Sequence, residues 1–389
     1  MTIINIGLPW HSEAAGNLGV GALTVGNIVL IRRATDRMGL TPRFTILGPR
    51  ETGTPYVTGP DIVHRTINGR YMASPRGYLA DVRAQHIMLD IGGGDSFTDI
   101  YPDKRFAYIV GSKLVPLIAG VPLVLSPQTI GPFSRQPHTR VSGWICTRAA
   151  HVFARDPISL ALTRRIAPRA KVSEVIDVAF ALPFTRPTRA PDAKIKVGFS
   201  VSGLMLAGGH VTDNEYGLGF DFGALTRRLV TDFLALPNVE VHLIAHVYAP
   251  HMPRDDDARA IDQLHAEIPA TIRAPDFASP SEAKSYISGL DFLTGGRMHA
   301  TIAAFSSGVP VVPISYSNKF EGLYAGLNYP HLVNAKGMGT DEAYARIMGG
   351  FHNRADLAAD IARAGPGIET ALNAYVDELV RQFEAALKR

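Results

Sequence analysis

Short runs of β-branched and other apolar residues alternate along the whole chain with stretches whose apolar positions recur every three or four residues. That alternation predicts parallel sheets crossed by helices. In the first half, strands are expected at residues 3–7, 44–47, 86–91, 121–126, 151–154 and 174–177, with helices around 21–38 and 104–119. Residues 183–191 are dense in proline and carry neither period, which predicts a linker. The second half restarts with strands at 194–200, 239–245, 271–273, 291–294 and 311–314. Ser279, Pro280 and Glu282 form an N-cap serine, a proline at the first helical position and a glutamate at the third, so a helix should run from there to about residue 290. Three helical patterns follow at 341–349, 355–363 and 369–387, the last long enough to cross back onto the first half.

The expected fold is therefore α/β, with two Rossmann-like domains whose parallel sheets face a central cleft. Residues 1–185 would form the first domain, 186–192 the linker and 193–365 the second domain, with 366–389 a helix packing back on the first. Open parallel sheets bind ligands beyond the carboxyl ends of their strands, so the chemistry belongs in strand-to-helix loops. No internal repeat or low-complexity tract interrupts this pattern.

Composition narrows the function classes. Of 389 residues, 46% are hydrophobic and only 19% charged, enough apolar material for two covered sheets. A net charge of +4 suits an anionic partner, but no run of like charges and no basic stripe interleaved with aromatics marks a nucleic-acid surface. A small anionic ligand is the better fit. The opening residues read as a strand and not as a signal peptide, and no apolar run approaches the roughly 20 residues that span a bilayer. A soluble cytoplasmic protein is expected, working as far as the inner face of the membrane, and a homo-oligomer is compatible with it. The single cysteine, Cys146, excludes an intrachain disulfide and is expected in the core.

The richest loop is Thr294-Gly295-Gly296-Arg297-Met298-His299, a strand end, two glycines and a helix that should finish near Gly308. Free N–H groups at a helix start, glycines that permit close approach, a guanidinium and an imidazole make an anion site for phosphate or carboxylate. The alternative is that Arg297 pairs with a neighbouring acid and His299 packs. Arg155 ends another strand, just before a helix started by Asp156 and Pro157, and Lys319 follows a third. In the first domain a strand empties into Gly92-Gly93-Gly94, where Gly94, Asp95 and Ser96 are candidates for sugar hydroxyls, and Gln128 follows the next strand as another acceptor contact. Neither this loop nor the one at Asn17 and Gly19 has the dinucleotide spacing. Asp255, Asp256 and Asp257 read as a helix start, with no metal site, and His242, His246 and His251 as satisfied structural histidines, the alternative being that His246 and His251 reach the cleft.

These residues, in this order, resemble the polysaccharide pyruvyl transferase family: Asn17-Leu18-Gly19, Ile91 to Gly94, Ser126 to Pro132, Phe153 to Asp156, Gly296 to Ala300, and Lys319. The resemblance implies a GT-B-like fold and transfer of pyruvate from phosphoenolpyruvate to a sugar as a ketal on a surface glycan or its precursor. No cofactor is implied, phosphoenolpyruvate being a co-substrate. It implies Arg155, Arg297 and Lys319, with Gly295 and Gly296, at the donor, His299 as general acid, and Asn17, Gly19, Gly94, Asp95, Ser96 and Gln128 on the acceptor side, where the acceptor is free or lipid-linked. Relatives usually carry an acidic residue where this chain has Val20, which bears on acceptor identity. Two other readings stay open. A glycosyltransferase of the same architecture would use a nucleotide sugar, and a non-catalytic glycan-binding or assembly subunit would bind without turnover.

Overall fold

The computed structural model describes residues 2–188, 194–209 and 214–389, with the side chains of Asn318 and Lys319 outside the description. Most of the expected linker, 189–192, lies outside the described residues. The chain gathers into two compact units: one holds the residues up to Ala15, Leu23–Ala181 and Ile368–Arg389, the other Gly16–Ala22 and Leu182–Gly367. The Asn17–Gly19 loop, expected with the first domain, thus belongs to the second unit.

The first unit carries β1 (Thr2–Pro9), most of α1 (Leu18–Arg37), β2 (Leu40–Gly48), β3 (Ile62–Thr66), α2 (Gly69–Ala73), α3 (Tyr78–Arg83), β4 (Ile87–Asp90), α4 (Asp103–Ala119), β5 (Leu123–Gln128), α5 (Gln136–Arg148), β6 (His151–Ala154), α6 (Pro157–Ile166) and β7 (Val172–Glu174). Its seven strands lie in the order β3-β2-β1-β4-β5-β6-β7, and every pairing is parallel. Strands β4, β5 and β6 are buried at every position, as helices on both faces require. The edge strand β3 escapes the sequence pattern because none of its residues is fully buried. Strand β7 stops before Asp177, whose carboxylate instead accepts the Ala179 N–H at 2.9 Å and the Arg155 guanidinium. Cys146 is fully buried in α5, as a packed core residue should be.

The second unit carries β8 (Ile195–Ser200), α7 (Gly203–Leu206), α8 (Phe222–Ala235), β9 (Val239–Ile244), α9 (Asp257–Glu267), β10 (Ile272–Arg273), α10 (Pro280–Ile287), β11 (Phe292–Gly295), α11 (Met298–Ser306), β12 (Val311–Ser315), α12 (Asn318–Gly326), β13 (Val333–Asn334) and α13 (Thr340–His352). Its parallel sheet runs β10-β9-β8-β11-β12-β13, the Rossmann order, with the reversal between β8 and β11. Arg297 and His299 follow β11, at that switch point. The two-residue strand β13 is too short to carry a period.

The patterns at 355–363 and 369–387 fuse into one helix, α14 (Arg354–Leu387), which continues through Pro366. A mid-helix proline removes one hydrogen bond, yet apolar anchors hold both flanks: Leu357 and Ile361 before it, and Leu372, Tyr375, Val376, Leu379 and Phe383 after it. Its last part belongs to the first unit, where Arg37 of α1 grips Asp377 at 2.6 Å and Asn373 at 3.1 Å. No described helix is long and apolar enough to cross a membrane.

Candidate functional site

In the second unit, Arg297 is the N-cap of α11, and no side chain caps the helix among the described residues. First-turn N–H groups are left for an anion, with the positive end of the helix dipole behind them. The arginine side chain turns away toward α9. Its Nε donates to Asp257 at 2.9 and 3.1 Å, and its Nη2 to Asp257 Oδ1 and Asp255 Oδ1, both at 2.6 Å. Among the described residues, Nη1 makes no hydrogen bond. Burial opposes the charge on Arg297, but Asp257 outweighs it and holds the guanidinium protonated. The sequence reading treated Asp255–Asp257 only as a helix start. Asp256 does cap α9, but Asp255 and Asp257 clamp Arg297, a partnership across 40 positions that no local pattern announces.

Asp257 is fully buried and accepts three backbone N–H groups as well, from Gly203 at 2.8 Å, His246 at 3.1 Å and Val247 at 2.9 Å. The same carboxylate therefore fixes the ends of β8 and β9 and the start of α11.

His299 is half-buried on the first turn of α11. A Cβ on Gly19 would fall 2.4 Å from its Nδ1, so only glycine lets the Asn17 loop close on the imidazole. Asn17 Oδ1 accepts the Gly19 N–H at 3.0 Å, and Leu18 N–H donates to the His246 carbonyl at 3.1 Å. Asn17 and Gly19 were expected on the acceptor side; Gly19 lies against His299, and Asn17 bridges to Val247. Gly295 and Gly296 were expected to approach a ligand, yet Cβ atoms there would meet Ser200 O and Met205 Sδ at 2.2 Å, so they serve chain packing at the switch point. Lys319 lies in α12, its side chain outside the described residues.

The histidines divide. His242 is satisfied by Tyr286 and Glu240. His246 corrects the expectation: it is 3% exposed, and neither ring nitrogen has a partner among the described residues. Burial, reinforced by His299 and Arg297, pushes it down to about 3, so it is neutral.

In the first unit, Gly92, Gly93 and Gly94 have φ of +56°, +59° and +88°, a run of left-handed conformations that accounts for three glycines. Buried Asp90 holds this turn, accepting the Gly92 N–H at 2.9 Å and the fully buried Lys113 ammonium at 2.8 Å. Gln128 was expected to meet a sugar. It is instead fully buried, donating to the Asp90 carbonyl at 2.7 Å and bracing the turn from below. Ser96 is 2% exposed and accepts from Arg105, while Asp95 accepts from Tyr101 at 3.3 Å. Arg155 donates to Thr129 at 2.9 Å and to Asp177 at 3.0 Å, and its Nη1 comes within 3.5 Å of the place a Gly94 Cβ would occupy.

A family model described as polysaccharide pyruvyl transferase matches residues 42–318, well over half the chain. The chain belongs to this family. The chain is also similar to the amylovoran biosynthesis protein AmsJ of Erwinia amylovora, with 22% identity over 290 residues, 70% of this chain and 67% of that protein. Solved structures share the fold of this chain at low identity. A Listeria monocytogenes protein described as a UDP-N-acetylglucosamine 2-epimerase superposes with a TM-score of 0.63 at 13% identity, covering 99% of this chain and 98% of that one. The UDP-GlcNAc 2-epimerase of Neisseria meningitidis gives 0.55 at 10% identity, over 98% and 100%. The rhamnosyltransferase SpnG gives 0.54 at 13% identity, over 99% and 100%. The chain is thus GT-B-like in architecture, and Arg297 and His299 stand together at the switch point of its second sheet.

Proposed function

We propose that this family member transfers the enolpyruvyl group of phosphoenolpyruvate to a sugar and closes it as a pyruvate ketal on a surface glycan or its precursor. The observation that carries the reading is His299 held by Gly19 beside the uncapped start of α11, in a chain of the pyruvyl transferase family. Phosphate oxygens suit the first-turn N–H groups, with the open edge of Arg297 and Lys319 as further donors. Asp255 and Asp257 keep the guanidinium fixed before substrate arrives, so binding need not organise it.

His299, as imidazolium, gives a proton to the methylene carbon, which becomes the methyl group. A sugar hydroxyl attacks the adjacent carbon, the carbon–oxygen bond to phosphate breaks, and a second hydroxyl closes the ketal. Of the two hydroxyl protons, one replaces that given by His299 and the other leaves with phosphate. Donor and diol thus become ketal and hydrogen phosphate.

The test is calorimetry and thermal shift with phosphoenolpyruvate against a nucleoside-diphosphate panel, followed by phosphate release with a panel of sugar acceptors. Wild type should respond to phosphoenolpyruvate, and His299→Gln should keep binding but lose about 10²–10⁴-fold in turnover, the usual scale of general acid catalysis. Stabilisation by a nucleoside diphosphate alone would hand the site to a nucleotide-sugar enzyme. Sugar binding unchanged in His299→Ala, with no phosphate released, would make the chain a non-catalytic subunit.

A further inference from the structure

We propose that the ends of α4, α5 and α6, at the amino edge of the first sheet, dock on an anionic lipid bilayer. Ile118 and Trp144 enter the headgroup layer, and the exposed cations Arg148, Arg164, Arg165 and Arg169 hold its phosphates.

The charge is diluted in the whole-chain balance of +4. Residues 104–171 carry eleven lysines and arginines against one acid, Asp156, which is itself buried as the N-cap of α6. No short run announces this, because the cations come from separate elements that the fold collects. Strands β4 to β7 are all parallel, so the helices that connect them, α4, α5 and α6, all end at the amino edge of the sheet. There the three lie side by side. A Cβ on Gly143 of α5 would fall 2.4 Å from the Ile166 carbonyl oxygen at the end of α6, which sets Trp144 one residue from that contact and Arg165 one residue from its other side. The chain then turns through Arg169 to Lys171, whose carbonyl accepts the Val152 N–H at 2.9 Å. From α14, Arg389 donates to the Gly120 carbonyl at 3.2 Å, two residues beyond Ile118, and adds its charge to the same edge.

Cations in the last turn of a helix complement its dipole, which would account for Arg148, Arg164 and Arg165. It leaves Arg169 and Lys171, which lie outside any helix, unexplained, and it calls for no apolar group. Yet Ile118 is 79% exposed and Trp144 44%, with the Arg148 guanidinium 5.6 Å from the centre of the indole ring. Other surface arginines of the chain are paired, as Arg32 is with Asp61 and Arg227 with Glu267, whereas among the described residues these cations have no ion-pair partner. Free cations around an exposed indole and an isoleucine are complementary to an anionic bilayer. Phosphates take the charge, the indole sits at headgroup level, and the aliphatic stems of the arginines lie along the acyl boundary. A nucleic acid would call for a row of aromatic faces or an element shaped to a groove, and one indole on a layer of helices offers neither. Arg155 and the three glycines after β4 follow the carboxyl ends of their strands, at the opposite edge of the same sheet, so docking leaves them free.

The test is sedimentation and tryptophan fluorescence of the full chain with vesicles of phosphatidylcholine, with and without phosphatidylglycerol. The chain has two tryptophans, so Trp10→Phe leaves Trp144 as the reporter. Its emission should shift to the blue on the anionic vesicles and be quenched by brominated lipid, neutral vesicles should leave it unchanged, and binding should fade as salt is raised. Arg164→Glu/Arg165→Glu/Arg169→Glu should weaken vesicle binding about 100-fold, at the contribution expected of each cation near a charged bilayer, with an unchanged melting temperature because all three side chains are exposed. Sedimentation of that variant needs no tryptophan change, so it decides the matter even where Trp10→Phe folds poorly. Vesicle binding equal to wild type in the triple variant overturns the proposal, as does an anionic-vesicle complex in which bromine leaves Trp144 unquenched. Duplex DNA bound as tightly as the anionic vesicles would also overturn it, making this face a general polyanion surface.

Discussion

Arg297, proposed above as a donor contact, is also a structural residue. Three of its hydrogen bonds go to Asp257, which is wholly buried and has no other charged partner among its bonds. Arg297→Ala should therefore unfold more easily by about 3–5 kcal/mol, the cost of stranding a buried carboxylate, and denaturant titration would measure it. Arg297→Ala/Asp257→Asn should regain part of this. Loss of phosphoenolpyruvate binding in the single variant has to be read against that instability, and Arg297→Lys, which keeps the charge, is the fairer binding test. At this scale the sequence showed which residue types matter but not their partners. Gly19 was singled out only through the family resemblance, and what requires a glycine there, the His299 ring, lies 280 positions away in sequence. That the ring of His246, just beyond β9, is unsatisfied was not legible, since a sequence shows a histidine but not whether its nitrogens find partners.

Among elements, the loop after β4 is the one most dependent on what lies beneath it. The Lys113 ammonium from α4 reaches Asp90 with both side chains fully buried, and Asp90 ties down the first of three left-handed glycines. Lys113→Met removes one half of a buried pair and should cost about 3–5 kcal/mol, whereas adding Asp90→Asn should restore a good part; thermal melts of the two variants decide it. Cys146 shares this core. Burial pushes its thiol up to about 12, so a thiol reagent should leave the native protein unlabelled and react once denaturant is added. Central strands were legible because both faces are apolar. The edge strands β3 and β13 were not, one lacking fully buried residues and the other only two residues long. The break expected at Pro366 failed for the opposite reason: local propensity was outweighed by burial on both flanks.

For the whole molecule, acid is the revealing perturbant. Burial pushes His11 in the first unit down to about 4 and His246 in the second down to about 3, from an ordinary value of 6.5. Unfolded, each takes a proton near pH 6.5; folded, each resists until near its lowered value. Between those limits the unfolded state binds more protons, so stability is complete above about pH 6.5 and drains away as pH falls toward 4. At about 1.4 kcal/mol per pH unit, each histidine removes on the order of 3 kcal/mol over that span. Melting temperatures followed by circular dichroism from neutral to acid pH should show the decline in both units, and His246→Leu should flatten it in the second only.

The crossing of α14 into the first unit also dictates an order of assembly. The Tyr375 hydroxyl donates to Asn27 Oδ1 at 2.8 Å and accepts from the Ser126 hydroxyl at 3.1 Å, and Asn27 bonds His11, so a polar knot inside the first sheet is closed by a residue 348 positions beyond Asn27. A ribosome makes most of this unit before the second and completes it only after the second. Until residues 368–389 emerge, the pocket meant for Tyr375, Leu379 and Phe383 stays open, and a nascent chain halted at Gly367 would present that unfinished apolar seam to chaperones and proteases.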